Sequence, residues 1–132
     1  MTSFRFRAGE RLKSRKVIAR IFQHQDNSVG VYPLRAKWTR MTEPTTDGFP
    51  VLFSATAPKR PFPHAVDRNR IRRQIRECWR LNKHALYATL QESHPDKQWG
   101  IMFIFVAKEH LPTATIEQAM KRILRKLPNM LP

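Results

Sequence analysis

The chain has 132 residues and carries 25 Lys and Arg against 10 Asp and Glu, a formal charge of +15. With 41% hydrophobic residues it has enough apolar matter for one packed domain, so it is not a disordered basic tail. So large a positive excess must cover the surface, which makes nucleic acid the first expectation for a partner and an anionic membrane the second.

Residues 1–12 read as a basic, partly ordered arm on a single domain spanning 1–132. Ser14 suits an N-cap, and Val17, Ile18, Ile21 and Phe22 then share one face of a short helix. "QDNSVG" ends it. Residues 31–40 alternate, with Tyr32, Leu34, Ala36 and Trp38 on one side and Arg35, Lys37 and Thr39 on the other, the pattern of a half-exposed strand with a cationic outer face. "TEPTTDG" is a turn. "FPVLFSATA" (49–57) is a second strand, with Phe49, Val51, Phe53 and Ala55 on one side. After the proline-stiffened loop "PKRPFPH" a long helix is expected from His64 to Leu90. "WGIMFIFVA" (99–107), apolar on both faces, suits a central strand. In the last helix Thr115 and Gln118 suit a capping box, with Ile116, Met120, Ile123, Leu124 and Leu127 as its buried stripe. The order is α-β-β-α-β-α, with room for one more short strand.

The stretch "VDRNRIRRQIRECWRLNK" (66–83) places seven Arg or Lys among eighteen residues. At about 100° per residue, Ile71, Ile75, Cys78 and Ala85 cluster, with Leu81 to one side. Arg72, Arg73, Arg76, Arg80, Lys83 and Asn69 form a separate band at roughly 40° to 140° from Arg68, and Arg70 stands apart. Glu77 is the sole acid between Arg68 and Lys83. Like charges at 68/72, 72/76 and 76/80 therefore repel along the helix, and such a band calls for an anion to offset it. Arginine, rather than lysine, suits bidentate contact with phosphate. Trp79 borders core and band, and reads as a core-edge side chain rather than a base-stacking one. Cys78, the single cysteine, excludes an internal disulfide and reads as a small buried hydrophobe.

"AVDRNRIRRQIRECWRL" resembles the motif of the protein subunit of bacterial ribonuclease P, an Arg-Asn-Arg triplet followed by basic pairs and Arg-Glu on one helix. "RLKSRKVIARIF" is similar to that family's first helix, and the order of the remaining elements agrees. The resemblance implies an α/β (α+β) two-layer sandwich, α-β-β-(β)-α-β-α, with a left-handed β-α-β crossover, an exception to the usual handedness. It implies two partners, the catalytic RNA subunit and precursor tRNA, whose 5′ leader is removed. It implies that Arg68, Asn69, Arg70, Arg72, Arg73, Arg76 and Arg80, with Lys59 and Arg60 in the loop, contact the catalytic RNA. A cleft beside the first helix, with Phe22, Ile18, Lys13, Arg15, Arg35 and Lys37, would hold the leader. Chemistry would belong to the RNA and to Mg²⁺ held by RNA and substrate. Two departures stand out: the loop "APKRPFPHA" has three prolines and no glycine, and Ile18 replaces an aromatic residue usual in the first helix.

The residues themselves leave other classes open. A ribosomal or other structural RNA-binding protein would share the basic band without supporting cleavage. A helix-turn-helix DNA binder wants a helix, not a strand and prolines, before the basic helix. A peripheral membrane protein would show an exposed apolar helix face. A protein nuclease would need gathered ligands, whereas Glu10, Asp26, Glu43, Asp47, Asp67, Glu77, Glu92, Asp96, Glu109 and Glu117 are spread along the chain and read as mostly exposed. His24, His64, His84, His94 and His110 lack metal-site spacing. Phe22 reads equally as last-turn core or as cleft wall. With no apolar leader and no run near the roughly 20 residues that span a bilayer, the cytoplasm is the expected address.

Overall fold

The structure, a computed structural model, describes residues 6–23, 27–42, 45 and 48–132. A short 3-10 turn (Ala8–Glu10) leads into α1 (Arg15–Gln23), β1 (Ser28–Val31), β2 (Leu34–Arg40), β3 (Val51–Thr56), α2 (Ala65–Asn82), α3 (His84–Ser93), β4 (Trp99–Phe105) and α4 (Thr113–Met130). The four strands form one sheet in the order β1-β2-β4-β3. β2 is antiparallel to both its neighbours, and β3 runs parallel to β4. β4 is thus central, as its apolar run requires.

Alternation along the strands sorts side chains onto two faces. Leu34, Ala36 and Trp38 of β2, Val51 and Phe53 of β3, and Trp99, Ile101, Phe103 and Phe105 of β4 build the main core. Ile71, Ile75, Cys78 and Trp79 of α2 close it from above, together with Ile116, Met120, Ile123, Leu124 and Leu127 of α4. Trp79 is fully buried and stacks on Phe53, with centroids 5.0 Å apart and planes 14° apart. The opposite face carries a smaller core of Leu12, Val17, Ile21, Met41, Leu52 and Met102, over which α1 lies. Gly100 makes that approach possible: a Cβ there would sit 3.1 Å from the Val17 side chain. Ser14 caps α1 as expected, its Oγ accepting the Val17 N–H at 3.3 Å.

Several expectations are corrected. The extra strand is β1, which pairs with β2 across a two-residue turn, so Tyr32 is an exposed turn residue and not part of the buried row. Phe49 precedes β3 and is half-buried. The long helix is interrupted at Lys83, and Leu81 and Ala85 are exposed because the buried row passes through Trp79, Lys83 and Leu86 instead. α4 begins at Thr113 behind Pro112, so Thr115 lies inside the first turn and forms no capping box. Of the expected partly ordered arm, residues 1–5 lie outside the described residues; within 6–12, Leu12 is buried, its N–H donates to the Phe53 carbonyl at 2.8 Å, and Glu10 is 1% exposed.

Cys78 is buried, and desolvation pushes its thiol up to about 12. Thiol reagents at pH 8 should leave the native protein unlabelled and should label it fully in denaturant. The raised value also fixes a sign: this group's contribution to stability is present below the unfolded thiol's pKa and is lost as pH climbs toward 12.

Candidate nucleic-acid interface

α2 presents two unlike faces. Its core row is Ile71, Ile75, Cys78 and Trp79; Asn69, Arg70, Arg72, Arg73 and Arg76 are all exposed on the rest of its surface. Arg72 donates to the Asn69 side-chain oxygen, which aligns guanidinium and amide on one side. Arg80 is held by Glu77, with Nε to Oε2 at 3.0 Å, and that bond holds the Glu77 carboxyl below its usual range. Arg68 is half-buried and works partly for the fold: its Nη1 donates to the carbonyls of Phe62 and Pro63, each at 2.8 Å. It thereby ties the proline loop to the first turn of α2. Lys59 and Arg60 are exposed at the start of that loop.

Beside α2, at the open edge of β3, runs a groove of about 500 Å³. Asn69, Arg72, Arg73 and Arg76 form one wall and Phe53, Ser54 and Ala55 the floor. The other wall is the segment before α1, through Phe6, Arg11, Leu12 and Lys13. Lys13, grouped by sequence with the leader residues, therefore lines the groove of the basic helix.

A second basic surface lies on the opposite face of the sheet. Phe22 is 45% exposed, which excludes it from the core, and the Lys37 ammonium sits 5.8 Å from its ring centroid. Ile18, one turn earlier, is half-buried against the smaller core beside Ile104. Arg15 is exposed at the start of α1. Arg35 is exposed on β2 and donates to Ser28 Oγ at 3.2 Å, lying across Gly30. Arg20 pins α1 to β2 through Thr39 Oγ1 (3.2 Å) and the Arg40 carbonyl (3.3 Å).

Comparison with known proteins decides the family. The family model described as Ribonuclease P matches residues 6–128. The chain is 33% identical over 131 residues to the ribonuclease P protein component of Porphyromonas gingivalis, covering 98% of this chain and 91% of that one. Its fold is similar to that of the RNase P protein of Staphylococcus aureus, with a TM-score of 0.64 at 20% identity over 89% of this chain and 94% of that chain. The RNase P protein of Thermotoga maritima gives a TM-score of 0.63 at 20% identity over 89% and 96%. The chain belongs to the ribonuclease P protein family.

As a ribonuclease P protein component it is part of a tRNA-processing ribonucleoprotein and has an RNA partner. The arginines of α2 have only two acids on the same helix, Asp67 and Glu77, so like charges repel along it. The three prolines that distinguish its loop do not leave it loose, because Phe62 is buried and Arg68 holds two carbonyls. Among the described residues no helix is long and apolar enough to cross a membrane.

Sequence reasoning missed two parts of this surface. Lys83 was placed in the basic band, yet it is 3% exposed and paired with Glu10. Its position in the row Ile75, Trp79, Lys83, Leu86, Leu90 was the available signal. Arg11 and Phe6 reach the groove only because residues 11 and 12 pair with β3, a contact that no local pattern announces.

Proposed function

We propose that this cytoplasmic chain binds the catalytic RNA of ribonuclease P through the α2 band and the 5′ leader of precursor tRNA through the surface of α1 and β2. The RNA, with its Mg²⁺, then cuts the leader. The observation that carries this reading is the presence of two basic surfaces on opposite faces of one sheet, with the Phe22 ring 45% exposed on one and the only partly buried Phe6 at the rim of the other. Arginines exposed in a row along α2 suit the folded phosphate backbone of a large RNA. A ring beside Lys37, with Arg15 exposed at the start of the same helix and Arg35 exposed on the same strand as Lys37, suits a single strand, whose bases stack while its phosphates meet cations.

Mg²⁺ belongs to RNA and substrate in this reading. Among the described residues no three of His, Cys, Asp or Glu gather closely enough to hold a metal ion; His24, Asp26, Glu43 and Asp47 lie outside them. The protein's part is to hold the leader and to screen phosphate repulsion as the RNAs meet.

The test compares precursor and mature tRNA. Assembled with the catalytic RNA, the protein should tighten binding of precursor tRNA relative to mature tRNA. Phe22→Ala should weaken precursor binding by about 1–3 kcal/mol, the range of one base–aromatic stack. Affinity for mature tRNA and for the catalytic RNA should hardly move. With Ile18 in an aromatic's place one stack is missing, so Ile18→Phe should strengthen leader binding. Equal loss on both tRNAs from Phe22→Ala would remove the leader surface from this account.

A further inference from the structure

The groove at the edge of β3 has one wall that does not belong to α2. Residues 6–13 reach that position through contacts distant in sequence. Glu10 and Lys83 form a buried ion pair, 1% and 3% exposed, linking the segment to the junction of α2 and α3. Tyr87 donates its hydroxyl proton to Glu10 Oε1 at 2.6 Å, and Glu10 Oε2 accepts the Arg7 N–H at 2.7 Å. Burial and the Glu10 charge raise the Tyr87 phenol well above its usual range, so it stays a donor. The Lys83 ammonium also faces the Tyr87 and Phe6 rings at 5.4 and 5.8 Å.

A buried ion pair contributes little net stability compared with apolar residues of the same shape, but breaking it costs much. Such a pair holds two elements in one arrangement. Here the elements are the two walls of a cationic groove: Arg11 and Lys13 opposite Arg72, Arg73 and Arg76. The clamp helps to keep five cations facing one another across a gap, beside the segment's other ties: Leu12, the bridge to Phe53 and the edge of the Phe6 ring on Phe53. Charges that face across a groove repel one another unless an anion lies between them. The small side chains of the floor, Ser54 and Ala55, leave the room for it.

We infer that the Glu10–Lys83–Tyr87 cluster is a clamp that seats residues 6–13 as the second wall of an RNA groove, and that one phosphodiester segment of the catalytic RNA runs between Lys13 and Arg11 on that wall and Arg72, Arg73 and Arg76 on α2. This rests on the catalytic-RNA reading above and moves Lys13 from the leader to the catalytic RNA. Glu10, Lys83 and Tyr87 are positioning residues: none of them reaches the anion.

The test uses the buried, unreactive Cys78 as a silent background. An iron chelate that cleaves nearby RNA is attached to Lys13→Cys in one variant and to Arg73→Cys in another. Each is assembled with ribonuclease P RNA and precursor tRNA. Both probes should cut the same short stretch of the catalytic RNA. Adding Glu10→Gln, which leaves the Lys83 charge unpaired, should lower affinity for the catalytic RNA about tenfold or more. It should also abolish the cuts from position 13 while those from position 73 persist. Tyr87→Phe removes a single donor and keeps the fold if Glu10→Gln does not; it should lower affinity about two- to fivefold and blur the same cuts. Cuts far apart in the RNA, cuts from position 13 only in the leader, or clamp variants with unchanged affinity and cuts would overturn the inference and leave the functional reading standing. A complex in which neither probe cuts the catalytic RNA would overturn both.

Discussion

A protein carrying Arg72→Ala and Arg76→Ala together should bind ribonuclease P RNA about ten- to a hundredfold more weakly at physiological salt, yet melt no lower than the parent. Both side chains are exposed on one side of α2, four residues apart, and both line the groove. In the free protein their like charges repel, at a cost of about 0.2–0.5 kcal/mol per pair. Alanine removes that cost and is itself a good helix residue. Stability and affinity should therefore move in opposite directions. The salt dependence gives a second reading of the same variant. If about six cations meet phosphates, log K should fall against log salt with a slope of roughly −4 to −5, and the double variant should flatten it by about two units or less. Filter binding over a salt series, beside a thermal melt, measures both.

Trp79→Ala on the same helix should do the reverse. The indole is fully buried, stacks on Phe53 and lies within 5.8 Å of Phe103 and 6.0 Å of Tyr87, centroid to centroid. Its removal opens a cavity that packed neighbours cannot fill, costing about 3–5 kcal/mol. That is a large share of the roughly 5–15 kcal/mol by which a domain is held. The melting temperature should fall by roughly 10–25 °C. Well below the new melt the salt slope of RNA binding should be unchanged, because no phosphate contact has been lost. A protein that melts normally but loses RNA affinity would make Trp79 a base-stacking residue and overturn its place in the core.

The contrast between these two variants shows what was legible in the sequence. Periodicity separated the faces of α2, because a stripe of Ile71, Ile75 and Cys78 and a row of arginines obey the same 3.6-residue repeat. β4 was legible as central because it is apolar on both sides, and the stripe of α4 for the same local reason. Long-range pairing was not. The clamp joins Glu10, which reads as an exposed acid, to Lys83, which reads as part of the basic band, and to Tyr87, which no local pattern singles out. The docking of residues 11 and 12 on β3 also moves Lys13 from one basic surface to the other. Arg68 was legible as a cation but not as the tie of the proline loop, since its two acceptors are backbone carbonyls, which every residue has. Phe22 was ambiguous for a geometric reason: a residue in the last turn of a nine-residue helix can roll inward or outward, and the short α1 turns it out over Lys37.

The central claim is that this chain binds RNA for a ribozyme and does not itself cut. Purified chain, freed of contaminating nucleic acid, is combined with bacterial ribonuclease P RNA and end-labelled precursor tRNA at low Mg²⁺, and the released 5′ leader is measured. The account predicts leader release when protein and RNA are present together, little with the RNA alone, and none with the protein alone. Release of the leader by the protein without the RNA would contradict it.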